Sequence, residues 1–289
     1  MGLFKKIAGL SVHFLCAIFL TFSGLAWPQD TSQAKVLQIG ILPTLSVRVL
    51  LKNYRPLKIY LERELKRPVE LVTSVDFKTF HFDTLAGKFD VVVTAAHLAR
   101  VAQTDAKYIP VATYKAANRA ILLEAKDSPL NSIQDLKGKS ISFGDRNALI
   151  VSQTLTYLRE QGLREGVDYT LLETQSHTSA AYSVQSHQSV LGITSPSGLQ
   201  NIPNAVKDSI QVYATLPEIP NLMWLLHPRM ASEAATIKAA LLGFESDTGE
   251  GKPFFEASGY IGMREVSNSE MKALEPYAQD IRNTLSSDK

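Results

Sequence analysis

Cysteine is nearly absent from this sequence. The single one among 289 residues, Cys16, lies inside the N-terminal apolar run IAGLSVHFLCAIFLTFSGLAW. If that run is removed on export no thiol remains, which excludes disulfides, thiolate metal sites and a cysteine nucleophile. A thiol-free chain suits an oxidising, exported setting. Leu15 precedes Cys16, where a lipid-attachment motif needs a small residue. An excess of charge is missing too: the formal net charge is +2, with Lys5 and Lys6 supplying it. The remainder is near neutral and offers no basic face for nucleic acid. The sequence has no GxSxG elbow, no HExxH and no Gly-rich phosphate loop. Its six histidines, His13, His81, His97, His177, His187 and His227, are scattered without metal-ligand spacing. No metal, cofactor or catalytic group is expected, and no internal repeat or low-complexity tract is visible.

What is present begins with MGLFKK, a short cationic segment ahead of the apolar run. Gly24 and Ala26 fit the small-x-small pattern that precedes a cleavage site. Residues 1–26 are therefore expected to be a signal peptide and 27–35 a flexible mature N-terminus. The alternative is an uncleaved membrane anchor, because a run of roughly twenty residues can span a bilayer. Ser11, His13, Thr21 and Ser23 interrupt the run and favour cleavage. Either way the body is exported. Its 45% hydrophobic and 20% charged residues are ordinary globular values, and its length allows two modest domains or one large one.

From about residue 36, short apolar strands alternate with amphipathic helices. VLQIGILP reads as a buried strand ending at Pro43. Val49, Leu50, Leu57, Tyr60, Leu61 and Leu65 then recur at mostly helical spacing, with Pro56 expected to break or kink that helix early. VELVTSV, DVVVTAA and YIPVATY follow as strands separated by short helices. This βαβαβ order predicts a mainly parallel sheet flanked by helices. A second unit starts near Ala116 with RAILLEA, the turn DSPLNS and SISFGD. A helix over Ala148–Gln161 ends at Gly162, a suitable C′ residue. YTLLETQ, TSAAYSVQSH and SVLGITS complete another strand–helix–strand. IQVYATLPEIPNLMWLLHP runs strand–turn–strand, and roughly 230 to 285 is helical.

Two extended segments flank the middle unit, VATYKAANRAILL on entry and VYATLPEIPNLMWLL on exit. A chain that leaves one lobe, builds a second and returns carries a hinge, and the cleft between lobes is a natural closing ligand site. Residues 36–115 and 218–289 are assigned to lobe 1 and 116–217 to lobe 2. The C-terminal helices have no sheet of their own, which favours their packing on lobe 1.

Several runs together resemble the phosphate/phosphite/phosphonate solute-binding family of ABC transporters. They are YRPLKIYLERELKRPVELVTS, DTLAGKFDVVVTAAHLARVA, DSPLNSIQDLKGKSISFGD, TQSHTSAAYSV and LPEIPNLMWLLHPRM. The likeness runs in order from about residue 36 to 245. It implies a two-lobed type II periplasmic-binding-protein fold, with two crossover strands joining the lobes. That family has a Phe-Gly-Asp-Pro turn followed by Ser-Thr-Ser-Gly at a helix start, where backbone N–H groups and hydroxyls hold the oxyanion. Phe143, Gly144 and Asp145 match the turn, but Arg146 stands where Pro is expected and Ala148, Leu149 and Ile150 replace the hydroxyl run.

The resemblance implies ligand roles for Tyr54, Asn147, Ala148 and His177, and Thr94 and His97 are candidates because they lie at a strand end, where parallel sheets place ligand groups. Arg146 would replace lost donors if it points inward. Thr194, Ser195 and Asn221 fall where the family has acidic residues that hold an ammonium group, so an amine-bearing ligand is not expected. The implied function is a periplasmic, monomeric solute-binding protein that captures a small anionic, phosphonate- or phosphate-like ligand and delivers it to an ABC permease. The alternative is a periplasmic sensor that presents its ligand to a membrane kinase or receptor. As an enzyme the chain lacks a nucleophile, although His177 and Asp145 could meet across the cleft.

Overall fold

The computed structural model describes residues 35–287. The expected signal peptide and most of the expected flexible terminus lie outside the described residues. Continuous aliphatic runs form β1 (Leu37–Ile41), β2 (Val69–Val72) and β3 (Val91–Thr94). β1 pairs in parallel with both of the others. Its burial and that of β3 are nearly complete, as strands covered on both faces require. The helices are α1 (Val47–Leu65), α2 (Phe77–Leu85) and, after β3, α3 (Ala96–Asp105). Then β4 (Ile109–Tyr114) leads across to β5 (Ile121–Ala125).

The alternation resumes with β6 (Lys139–Phe143), α4 (Leu149–Glu160), β7 (Tyr169–Glu173), α5 (His177–Gln185) and β8 (Leu191–Thr194). Two short helices, α6 (Pro196–Asn201) and α7 (Asn204–Lys207), precede β9 (Ile210–Thr215). The chain returns through β10 (Met223–Leu226) to α8 (Ala234–Gly243), α9 (Gly251–Ser258), β11 (Met263–Arg264), α10 (Asn268–Ala273) and α11 (Glu275–Ser287). Helices α8 and α9 pack on α1, and α11 packs on α3.

The strands form two sheets, in the orders β11-β4-β10-β3-β1-β2 and β7-β6-β8-β5-β9. Each holds a parallel trio made by the βα alternation: β3-β1-β2 in one, β7-β6-β8 in the other. The other strands run antiparallel, so both sheets are mixed. Four of these antiparallel strands, β4, β5, β9 and β10, are the arms of the two crossing segments. The crossings are stitched to each other: Asn118 and Ile219 exchange both backbone hydrogen bonds, at 3.0 and 2.8 Å.

Two details depart from the sequence reading. Helix α1 is not broken at Pro56 but continues to Leu65. The carbonyl that loses its partner to the proline belongs to Lys52, which is exposed, so water can satisfy it. The C-terminal region is not wholly helical, because Met263 and Arg264 add a short antiparallel edge beside β4.

Candidate functional site

The C-terminal ends of β1, β3, β6 and β8 face a common cleft, and the helices that follow begin there. One wall comes from Leu42, Thr44, Leu45, Phe77, Ala95 and Ala96. The other comes from Ala148, Leu149 and Ile150 at the start of α4, His177 at the start of α5, and Ser195, Ser197 and Gly198. The crossing segments close the back with Ala117, Asn118, Asn221 and Leu222, and Tyr260 completes the lining. The cleft offers about 50 Å³ to the centres of water-sized spheres. A single water needs about 10–15 Å³ on that measure, so a ligand of a few non-hydrogen atoms fits.

Glycine makes the close approaches possible. A Cβ on Gly144 would lie 3.1 Å from the Ser176 backbone, so this residue sets the turn before α4 against the start of α5. A Cβ on Gly198 would lie 2.4 Å from Thr194 Oγ1 and 2.8 Å from the His177 ring. The helix starts differ in how they are capped. Ser176 caps α5 by accepting the Ser179 N–H at 3.1 Å, whereas Ala148 gives α4 no side-chain cap. The first N–H groups of α3, α4 and α5 have no helical partners, and the helix dipoles make that end of the cleft favourable to negative charge.

Four of the expected residues line the cleft. Ala148 and His177 are on one wall, with Ser195, whose hydroxyl accepts the Gly198 N–H at 3.1 Å. Asn221 is at the back, donating to the Ala116 carbonyl at 2.7 Å and accepting the Leu222 N–H at 2.7 Å. His177 is 7% exposed, and its Nδ1 has no hydrogen-bond partner. Burial lowers its pKa to about 4, with the Ile193 carbonyl opposing, so the imidazole is neutral at physiological pH.

The other six do not line it. Tyr54 packs in the core, its hydroxyl 3.1 Å from that of Tyr114 and its ring against Trp224 and Phe254. Thr94 is buried opposite Met223 in the sheet, and Thr194 is buried behind Gly198. Arg146 does not point inward: Glu165 holds its guanidinium in a fork at 2.6 and 2.7 Å. Asn147 is held by its N–H to Asp145 Oδ1 at 2.8 Å, and its carbonyl lies 2.9 Å from His97 Nε2. His97 and Arg146 instead border a separate cavity, between α4 and α11, with Leu155, Tyr277 and Ile281.

Residues 39–271 match the family described as ABC transporter, phosphonate, periplasmic substrate-binding protein. The chain belongs to that family. Solved structures share the fold at low identity. The binding protein component of an ABC phosphonate transporter from Pseudomonas aeruginosa is 16% identical, with TM-score 0.75 over 86% of this chain and 88% of that one. PhnD1 from Prochlorococcus marinus, solved in complex with methylphosphonate, is 15% identical, with TM-score 0.75 over 86% and 98%. The alkanesulfonate-binding protein SsuA from Xanthomonas axonopodis pv. citri, bound to MOPS, is 19% identical, with TM-score 0.60 over 87% and 93%. No helix among the described residues is long and apolar enough to cross a membrane, and no group among them could hold a metal ion.

In this substrate-binding protein several cleft groups carried no sequence signal. Thr44, Asn118, Ser197 and Tyr260 come from loops and crossings whose convergence depends on tertiary packing. Tyr260 stacks on Tyr114 with ring centroids 3.8 Å apart, and burial raises its pKa. Asp145, matched to the family turn in the sequence, stands beside the cleft and makes a contact that the sequence did not show. Its Oδ2 accepts the Phe77 N–H of α2 at 2.9 Å, so a carboxylate from one side of the cleft occupies a helix N-terminus on the other. Burial raises its pKa, while the Phe77 and Asn147 N–H groups act to lower it.

Proposed function

We propose that the chain is exported with removal of residues 1–26 and works in the periplasm as a monomeric, non-catalytic solute-binding protein. It captures a small anionic, phosphonate- or phosphate-like ligand in the cleft and delivers it to an ABC permease. One observation carries the ligand reading: the N-termini of α3, α4 and α5 converge on a cleft lined also by the buried His177, whose Nδ1 has no partner. With the other ring nitrogen bonded to the Ile193 carbonyl, Nδ1 of the neutral ring is an acceptor and suits a ligand oxygen that still carries a proton. The family match supports delivery to a permease over presentation to a membrane sensor.

A thermal-melt panel of phosphate, phosphite, alkylphosphonates, sulfonates and carboxylates tests this. A ligand at about 100 times its Kd stabilises by about 2.7 kcal/mol. For a chain of this size that raises the melting temperature by about 5–10 °C. His177→Ala should weaken binding of a proton-bearing oxyanion by up to about tenfold, the loss of one hydrogen bond to a neutral ring, with circular dichroism unchanged. A panel without any shift contradicts the ligand reading.

A further inference from the structure

The charge of the cleft, not only its shape, limits what it accepts. None of its lining side chains is Lys, Arg, Asp or Glu. Where hydroxyl donors would strengthen a hold on an oxyanion, α4 presents Ala148, Leu149 and Ile150. The available positive potential comes from the N-termini of α2, α3, α4 and α5, each equivalent to roughly half an elementary charge. Together they reach about two charges at most. Against this stands the Asp145 carboxylate, bonded to the N–H of Phe77, itself a lining residue. The balance supports one negative charge on a ligand and not two.

Part of the remaining lining is apolar. Leu42, Leu45, Phe77, Ile150 and Leu222 face the cleft and offer an uncharged substituent a dry surface. An ammonium group would find no carboxylate among the lining residues and would lose its hydration without compensation. Inorganic phosphate would leave that apolar surface unfilled.

We infer that the cleft selects a singly charged tetrahedral oxyanion bearing a small apolar substituent, and discriminates against dianions and amine-bearing analogues. This rests on the proposed function and names its substrate class. Alkanesulfonates have the required charge at every physiological pH. Alkylphosphonates have it only below their second ionisation, so the two sources of this chemistry part company as the pH rises.

The test is calorimetric titration of the full chain with methanesulfonate and methylphosphonate, at pH 6 and pH 8.5. Of the lining side chains only His177 and Tyr260 titrate. One pKa is lowered to about 4 and the other is raised above the ordinary tyrosine value, so neither changes charge between those limits. Asp145, beside the cleft, is an acid raised from an ordinary value of 3.8. Methanesulfonate should bind with the same affinity at both pH values. Methylphosphonate should weaken by about tenfold for each pH unit above its second ionisation, as the competent monoanion is depleted. Phosphate, which leaves the apolar surface unfilled, should bind more weakly than methylphosphonate, and 2-aminoethylphosphonate should not bind. Ala117→Lys, adding a cation to the lining, should strengthen methylphosphonate binding at pH 8.5 by at least about tenfold and methanesulfonate binding less. Methylphosphonate binding as tightly at pH 8.5 as methanesulfonate overturns the inference and leaves the proposed function standing. An equal effect of Ala117→Lys on both anions contradicts the charge argument. Silence from both anions overturns the inference together with the oxyanion reading.

Discussion

At the scale of single residues, burial decides which side chains take part and in what form. His81, His97 and His177 all have pKa values lowered to about 4, with desolvation the largest cause in each. A histidine with a depressed folded-state pKa contributes stability that is present above its unfolded pKa, about 6.5. That stability is lost as the pH falls through the folded value, because the unfolded chain then binds more protons. Melts should therefore lose stability from about pH 6.5 towards pH 4, by up to about 1.4 kcal/mol per pH unit for each ring still titrating. His97→Gln should flatten the slope, and a curve level over this range contradicts the buried, neutral rings. Asp145 works in the opposite direction, since its raised pKa makes ionisation costlier in the folded state. The residue scale was the least legible in the sequence. Arg146 sits beside the right turn, but its side chain is claimed by Glu165 from a later loop, a pairing that only the fold creates. Tyr54 was equally ambiguous, because its helical spacing suits a core residue as well as a ligand residue.

At the scale of elements the sequence was far more informative. Aliphatic runs bounded by turn residues located the parallel trios, and Ser176 stood where a helix cap belongs. The failures have physical causes. Pro56 lies inside α1, and Lys52, whose carbonyl the proline frees, is an exposed residue. The edge strand of Met263 and Arg264 is too short to show a pattern. Gly198 is an element-scale device, letting α6 close on β8 and α5 around the His177 ring. Gly198→Ala should destabilise the protein by about 1–3 kcal/mol through overpacking, read by urea denaturation. It should also weaken ligand binding, since relief of the contact moves His177. Wild-type stability for this variant contradicts the tight packing described.

At the scale of the whole molecule, two sheets are joined by two extended segments and tied at further points. Among them are Asp145 to the Phe77 N–H, His97 to the Asn147 carbonyl, Asn53 to Asn201 at 2.8 Å, and Tyr260 to Ser197. The order of elements implied the crossings. The ties were invisible in sequence, because each joins residues far apart in the chain whose neighbours carry no mark of the contact. The account depends on where a ligand sits in this frame. The most direct measurement is a crystal structure of the full chain with methanesulfonate. The tetrahedral head should lie within about 3 Å of an N–H group at the start of α4, with its methyl group towards Leu42 and Leu45. A head group seated instead in the cavity beside His97 would contradict the account.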